Sequence, residues 1–466
     1  MDLIKKQGNL RLPAKATLFY ITSGFLTKAI GFISTPIFTR ILSTEDYGVY
    51  SYYMSFLGVV TILCSPAASG GIIYKGLSDN DLNESDLLLS GIGIFTCFSL
   101  VICTLLFAFS AFFAISRYFV ILIFVQSICD GVIGIYLLKC KFRYLYRTAI
   151  CLSLTEALLS PLLAFLLIRG AGLGYEGRIF GLLFPALLIA SPIFVFLAKE
   201  FSKGKFIKST RYVLRNSISL IPQSISTAVI TQADKLILAT TLGASLLARY
   251  SVAHSVGAAV GFISTAVCSA FHPWVIRRIK LQRFADISNA VRLVFSSLGA
   301  ITLFVVALSP EIMKFLAPSD YYYAAYAIFP ISFSTLPALL SGLSTIGLIL
   351  SGHRKFSAIP ALFSAFLNLI LCIVLIPEFS LIGAGIALLI SEITLALGNL
   401  LLLRRANLSE MIKWKNTAKD FLIFFIIGAI LSSLSSYPTI RILILIYPSI
   451  ILINSAIKIQ PMIFET

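Results

Sequence analysis

Lys28, Asp130, Glu156, Asp234, Lys235 and Glu392 each sit inside a long apolar run. An ionisable group in hydrocarbon is expensive unless it faces a cavity or a partner, so each is a candidate for contact with a transported cargo or an ion. Lys28 lies about 12 residues into its run, too deep for its stem to snorkel to an interface. Asp234 and Lys235 are neighbours, so on a helix their side chains diverge by about 100° and are expected on different faces, one of them toward the opposite half of the molecule. The competing role for Lys28 and Asp234 is a buried ion pair between the two halves. For Asp130, Glu156 and Glu392 the chemistry would be exchange of a proton or sodium ion, against a hydrogen-bonded helix contact as the structural alternative.

No nucleophile elbow, phosphate loop, metal motif or dinucleotide fingerprint occurs, so no catalytic residue, metal or cofactor is expected. The eight cysteines (Cys64, Cys97, Cys103, Cys129, Cys140, Cys151, Cys268 and Cys372) lie in or beside apolar segments without ligand spacing, as small hydrophobes would. His254, His272 and His353 show no paired spacing. Tyr47, Tyr50, Tyr52 and Tyr53, with Tyr321, Tyr322, Tyr323 and Tyr326, form clusters at one expected boundary, where an aromatic belt outweighs sugar stacking.

The elements that must hold these residues follow from composition. Of 466 residues, 58% are hydrophobic and 12% charged, with mean hydropathy +0.95. A soluble domain carries about 25% charged residues, so soluble multidomain enzymes are excluded. Apolar runs of membrane-crossing length give 14 spans, near 16–41, 49–73, 87–113, 118–138, 149–168, 178–198, 217–242, 247–273, 289–309, 322–350, 356–377, 380–403, 420–436 and 439–457. The last two are short, so 12 spans and a re-entrant hairpin is the alternative.

Alternate loops of this layout carry 28 and 7 of the 37 Lys and Arg residues, with Lys28 and Lys235 in the spans. That bias places both termini in the cytoplasm and explains the +17 net charge as topology rather than nucleic-acid binding. An echo at an offset of 200 residues sets Leu42, Tyr50, Ser51 and Ser55 over Leu242, Tyr250, Ser251 and Ser255. Helices 1 and 7 then occupy equivalent places, with an even number of spans per repeat. The expected fold is an all-α polytopic membrane protein. Its two six-helix lobes, 1–198 and 216–403, would be related by a pseudo-two-fold axis along the membrane normal, joined by a basic linker at 199–215 and followed by two extra helices in 404–466. No loop exceeds about 20 residues, which leaves no room for a nucleotide-binding domain.

The stretch Thr39-Arg40-Ile-Leu-Ser-Thr-Glu45-Asp46-Tyr47-Gly48-Val-Tyr50-Ser51 resembles the polysaccharide-export (Wzx-type) flippases, in which an arginine ends the first helix and an acidic-Tyr-Gly-x-Tyr turn follows. Ile221-Pro222, Asp234-Lys235, Gly243 and Tyr250-Ser251 are similar to the family's helix 7–8 signature, which usually has Asp-Arg. Gly347 with Ser351-Gly352, and Ile376-Pro377 with Gly383-Ala384-Gly385, extend the resemblance over about residues 10–400. It implies a fold similar to multidrug and toxin extruders and lipid II flippases. It also implies transfer of an undecaprenyl-pyrophosphate-linked oligosaccharide to the outer leaflet of a bacterial inner membrane. Lys28 and Lys235 would face the pyrophosphate, with Asp234 orienting or neutralising them. Lysine at 235 forgoes the bidentate fork that arginine would offer. Partners implied are the lipid-linked substrate, a polysaccharide polymerase and a chain-length regulator, with no nucleic acid.

A cation-coupled small-molecule exporter of the same fold is the alternative kept open by Asp130, Glu156 and Glu392. A membrane polymerase or glycosyltransferase would need a long periplasmic loop, and the loops on that side are short.

Overall fold

Backbone amides in a bilayer must find their partners within the chain, which leaves helices or closed barrels as spanning structures. The computed structural model describes residues 11–79, 82–111, 115–201, 203–351, 354–435 and 437–464, and those residues are helical with no strand. Lys5, Lys6, Gly352 and His353 lie outside them, as do the side chains of Arg11, Lys15, Lys203, Lys205, His272, Arg354, Lys355 and Lys458.

Two compact units divide the chain, Met1–Ala228 and Val229–Thr466. The first holds α1 (Arg11–Ile41), α2 (Thr44–Cys64), the short α3 (Gly70–Leu77), α4 (Glu84–Ala108), α5 (Arg117–Phe142), α6 (Tyr146–Ala171), α7 (Gly174–Lys199) and α8 (Lys203–Ile218). Within it α1 packs on α6, α6 on α7, α4 and α7 on α5, and α8 on α4. A Cβ at Gly181 of α7 would fall 2.5–2.6 Å from Ala164 of α6, backbone included, so these helices approach through small residues as membrane helices do.

The boundary between the units falls inside α9 (Ile221–Leu242). The second unit continues with α10 (Ala244–Lys280), α11 (Phe284–Ala307), the short α12 (Ser309–Leu316), α13 (Ala325–Leu350), α14 (Ala358–Arg405), α15 (Trp414–Ser433), α16 (Pro438–Ile444) and α17 (Ile446–Phe464). α14 is two helices in sequence, broken where Ser380 takes φ 51° just beyond Pro377. The core of this unit joins Phe295 and Leu298 of α11, Phe333 and Leu336 of α13, Leu389 of α14 and Phe424 of α15.

Among the described residues 11 helices are long and apolar enough to cross a membrane, counting α14 once. The protein is therefore a multi-pass membrane protein. α1 and α9, which carry Lys28 and the Asp234-Lys235 pair, are not among the 11, although their 31 and 22 residues reach across a bilayer. The remainder of α9 explains why: Gln223, Ser224, Ser226, Thr227, Thr231, Gln232, Thr240 and Thr241 dilute its apolar content.

Two local features take a form the sequence did not specify. Most of the basic linker expected at 199–215 is helical, Lys203–Ile218 forming α8, which packs on α4 of the first unit. The Glu45-Asp46-Tyr47-Gly48 stretch is the opening of α2 rather than a turn before it. Ser43 caps that helix, accepting from the Asp46 amide at 3.0 Å while its hydroxyl donates to Asp46 Oδ2 at 2.7 Å. A Ser N-cap with Glu45 and Asp46 in the first turn satisfies orphan amides and complements the helix dipole.

Candidate functional site

Asp234 is fully buried in α9. Gly243, at φ 90°, is the hinge between α9 and α10, and the return of α10 alongside brings Tyr250 opposite Asp234. Glycine is needed there because side-chain-bearing residues rarely adopt that φ. The Tyr250 hydroxyl donates to Asp234 Oδ2 at 2.6 Å. The Lys235 amide donates to Asp234 Oδ1 at 2.8 Å, and the Lys235 ammonium lies 3.4 Å from the same oxygen. That ammonium also donates to the Thr231 carbonyl at 2.6 Å, one turn back along α9.

The expectation that Asp234 and Lys235 must part is therefore wrong. Their Cβ vectors diverge, but the flexible four-carbon lysine stem folds back toward Thr231 and returns the charge to its neighbour. Asp234 consequently has a counter-ion and a phenolic donor of its own, as a buried carboxylate requires. The His254 ring stands 5.8 Å from that of Tyr250, and the Cys372 thiol in the first half of α14 is within electrostatic reach of Asp234 and Lys235. Asn368, one turn before Cys372, accepts its thiol hydrogen bond at 3.7 Å and leaves a buried amide nitrogen without a partner among the described residues.

A second polar cluster belongs to the first unit. Gln126 Nε2 donates to Asp130 Oδ1 at 2.9 Å along α5, and Glu156 of α6 acts electrostatically on Asp130. The hydroxyls of Ser99 and Ser127 meet at 2.5 Å, tying α4 to α5 nearby in sequence. Among the described residues Gln126 Oε1 and the buried Tyr53 hydroxyl have no hydrogen-bond partner, and Tyr53 lies within electrostatic reach of Asp130. Asp130 and Glu156 are thus within electrostatic reach of each other. Glu392, partly buried in the second half of α14, has no hydrogen bond or ion pair among the described residues. Lys28 stands on an exposed face in the middle of α1.

Tyr250 and Thr231 were not assigned to this site from sequence, nor were Gln126 and Tyr53 to the other. The signal for Tyr250 was present: a hairpin about Gly243 puts residues some seven to nine positions either side at one level of an antiparallel helix pair. A third buried charge lies apart from both clusters. Arg441 of α16 donates to both carboxylate oxygens of Glu311 in α12, at 2.9 and 2.6 Å, and to the Ala307 carbonyl. These bonds hold the Glu311 carboxyl below the usual range for a glutamate. They fasten α16 to α11 and α12 within the second unit.

The fold is helical and membrane-embedded, with polar clusters set inside long apolar helices. It is similar to the lipid II flippase MurJ in an inward closed conformation, with TM-score 0.64 and 18% identity over 96% of this chain and 99% of that one. It is also similar to an inward-facing multidrug resistance MATE family transporter of the MOP superfamily (0.59, 13%, covering 82% and 95%). A point mutant of the Vibrio cholerae MATE transporter VcmN is a further likeness (0.55, 13%, covering 86% and 98%). No curated protein sequence matches the chain. Residues 14–278 match the family model for polysaccharide biosynthesis protein, and the chain belongs to that family.

Proposed function

We propose that the protein is a flippase that carries an undecaprenyl-pyrophosphate-linked oligosaccharide repeat unit from the cytoplasmic to the outer leaflet of a bacterial inner membrane, for assembly into a surface polysaccharide. Membership of the polysaccharide biosynthesis family supports a glycan cargo, and the likeness to a lipid II flippase supports a lipid-linked one. The observation that carries the reading is Lys28, a cation on an exposed face in the middle of a membrane-length helix. An ammonium at that depth attracts anionic groups strongly, and a pyrophosphate is such a group. Lys28 is the first pyrophosphate contact in this proposal. The Asp234-Lys235 pair, neutral as a unit, lends polarity rather than net charge to the sugars. Both termini lie in the cytoplasm, and the lobes 1–198 and 216–403 move while 404–466 is an addition to them. A polymerase and a chain-length regulator receive the product.

Coupling to a proton or sodium gradient at Asp130, Glu156 and Glu392 completes the proposal, and Asp130 and Glu156, within electrostatic reach of each other, support it most. The test is transfer of a fluorescent lipid-linked oligosaccharide in proteoliposomes, followed by protection from a membrane-impermeant glycosidase. Wild-type protein should equilibrate the label across the bilayer, and Lys28→Ala should slow transfer at equal reconstitution. Label that stays in its starting leaflet, with export of cationic dyes instead, would replace the flippase reading by the multidrug one.

A further inference from the structure

α8 neither spans a bilayer nor merely turns the chain. Its 16 residues include Lys203, Lys205, Lys208, Arg211 and Arg215, too many charges to cross a membrane, yet it runs between the membrane-length helices α7 and α9. One face is fixed to the first unit. Ser209, Val213 and Ser217 are fully buried at intervals of four, Thr210 meets Ser90 of α4 at 3.0 Å, and Tyr212 donates to the Ile72 carbonyl at 3.1 Å. Ser217 donates to the Pro66 carbonyl at 3.2 Å.

Among the described side chains of the helix, the exposed apolar and basic ones are sorted. Ile207, Leu214 and Ile218 are 68%, 39% and 55% exposed, and at about 100° per residue they form one apolar stripe. Lys208, Arg211 and Arg215 are exposed on the adjoining sector, roughly opposite the packed face. An apolar stripe beside a basic one, on a helix anchored where spans leave the membrane, is the pattern of a helix lying in the interface. We propose that α8 is an anionic-lipid-binding interfacial helix. Its isoleucine and leucine side chains enter the acyl boundary of the leaflet, and Lys208, Arg211 and Arg215 take the phosphates of acidic phospholipid headgroups. Charge complementarity selects the occupant: acidic headgroups present fixed negative charge at the depth where these cations sit. The inference is independent of what cargo the protein carries.

Delipidated full-length protein in neutral detergent, titrated with phosphatidylglycerol or phosphatidylcholine and read by native mass spectrometry, tests it. Wild-type protein should prefer phosphatidylglycerol, and the preference should fall as salt is raised. Each cation near an acidic surface contributes about fivefold, so Lys208→Gln/Arg211→Gln/Arg215→Gln should weaken phosphatidylglycerol binding by about tenfold or more. Ile207→Ser/Leu214→Ser/Ile218→Ser, which keeps every charge, should weaken it as well. These side chains are exposed, so both variants should keep the wild-type elution volume. Equal affinity for the two lipids in wild-type protein would overturn the proposal, a result that needs no variant. So would unchanged binding in both variants, loss in the charge variant alone, or full displacement by inorganic phosphate, because each describes an anion patch without insertion.

Discussion

Replacing Lys235 by methionine keeps the stem and removes the ammonium that lies 3.4 Å from Asp234. Asp234 is fully buried, so the variant leaves a carboxylate with the Tyr250 hydroxyl and one amide but no counter-ion. Removing one partner of a buried pair costs about 3–5 kcal/mol. Asp234→Asn should cost less, about 1–3 kcal/mol, because the partly exposed lysine keeps its bond to the Thr231 carbonyl. The double variant Asp234→Asn/Lys235→Met has no uncompensated charge, so it should cost about 2–3 kcal/mol less than the sum of the singles. Thermal unfolding in detergent reads this directly. Both tryptophans, Trp274 and Trp414, belong to the second unit, so their fluorescence reports the unit that holds the pair. For a unit of this size 1 kcal/mol is worth about 2 °C, giving a fall of roughly 6–10 °C for Lys235→Met. Additive midpoints, agreeing within about 0.5 kcal/mol, would refute the pairing and return Lys235 to service as a free cation.

Gly243→Ala should destabilise the second unit by more than about 1 kcal/mol, measured by the same fluorescence, because a Cβ there meets open space and only the φ of 90° resists it. At Gly181 the obstacle is instead Ala164, so Gly181→Val should cost at least about 1–3 kcal/mol in thermal unfolding. Gly134→Ala, where a Cβ meets nothing within 4 Å, should be neutral or slightly stabilising in the same assay. Glu311 has its carboxyl held low by the Arg441 bonds, so the pair stabilises the fold above the unfolded carboxylate value of about 4.3 and loses that contribution as pH falls through the lower folded one. Midpoints measured from about pH 6 to about pH 3 should therefore fall less steeply in Glu311→Gln than in wild type.

Most spanning elements were legible because membrane helices announce themselves as apolar runs. The expected 178–198 and 322–350 correspond to Gly174–Lys199 and Ala325–Leu350, and the expected break between 377 and 380 falls where Ser380 departs from helical geometry. α8 was hidden because its apolar positions are few and its charges suggested a linker. The opening of α2 was hidden because Ser43 and Asp46 make a cap whose residue types also suit a turn. Lys28, Asp130, Glu156, Asp234, Lys235 and Glu392 could be singled out by type alone, since charge in an apolar run is conspicuous. Their partners could not. Pairing depends on how far a lysine stem folds back and on which helix returns beside which, and neither is written in the spacing of charges along one helix.

Depletion of the protein in its native host, with lipid-linked saccharides extracted and sized from each leaflet, tests the flippase reading most directly. Complete repeat units should accumulate on the cytoplasmic face while surface polysaccharide is lost, and Lys28→Ala at normal protein levels should reproduce the defect. Lipid-linked saccharides that remain normal in size and leaflet, with intact surface polysaccharide, would contradict it.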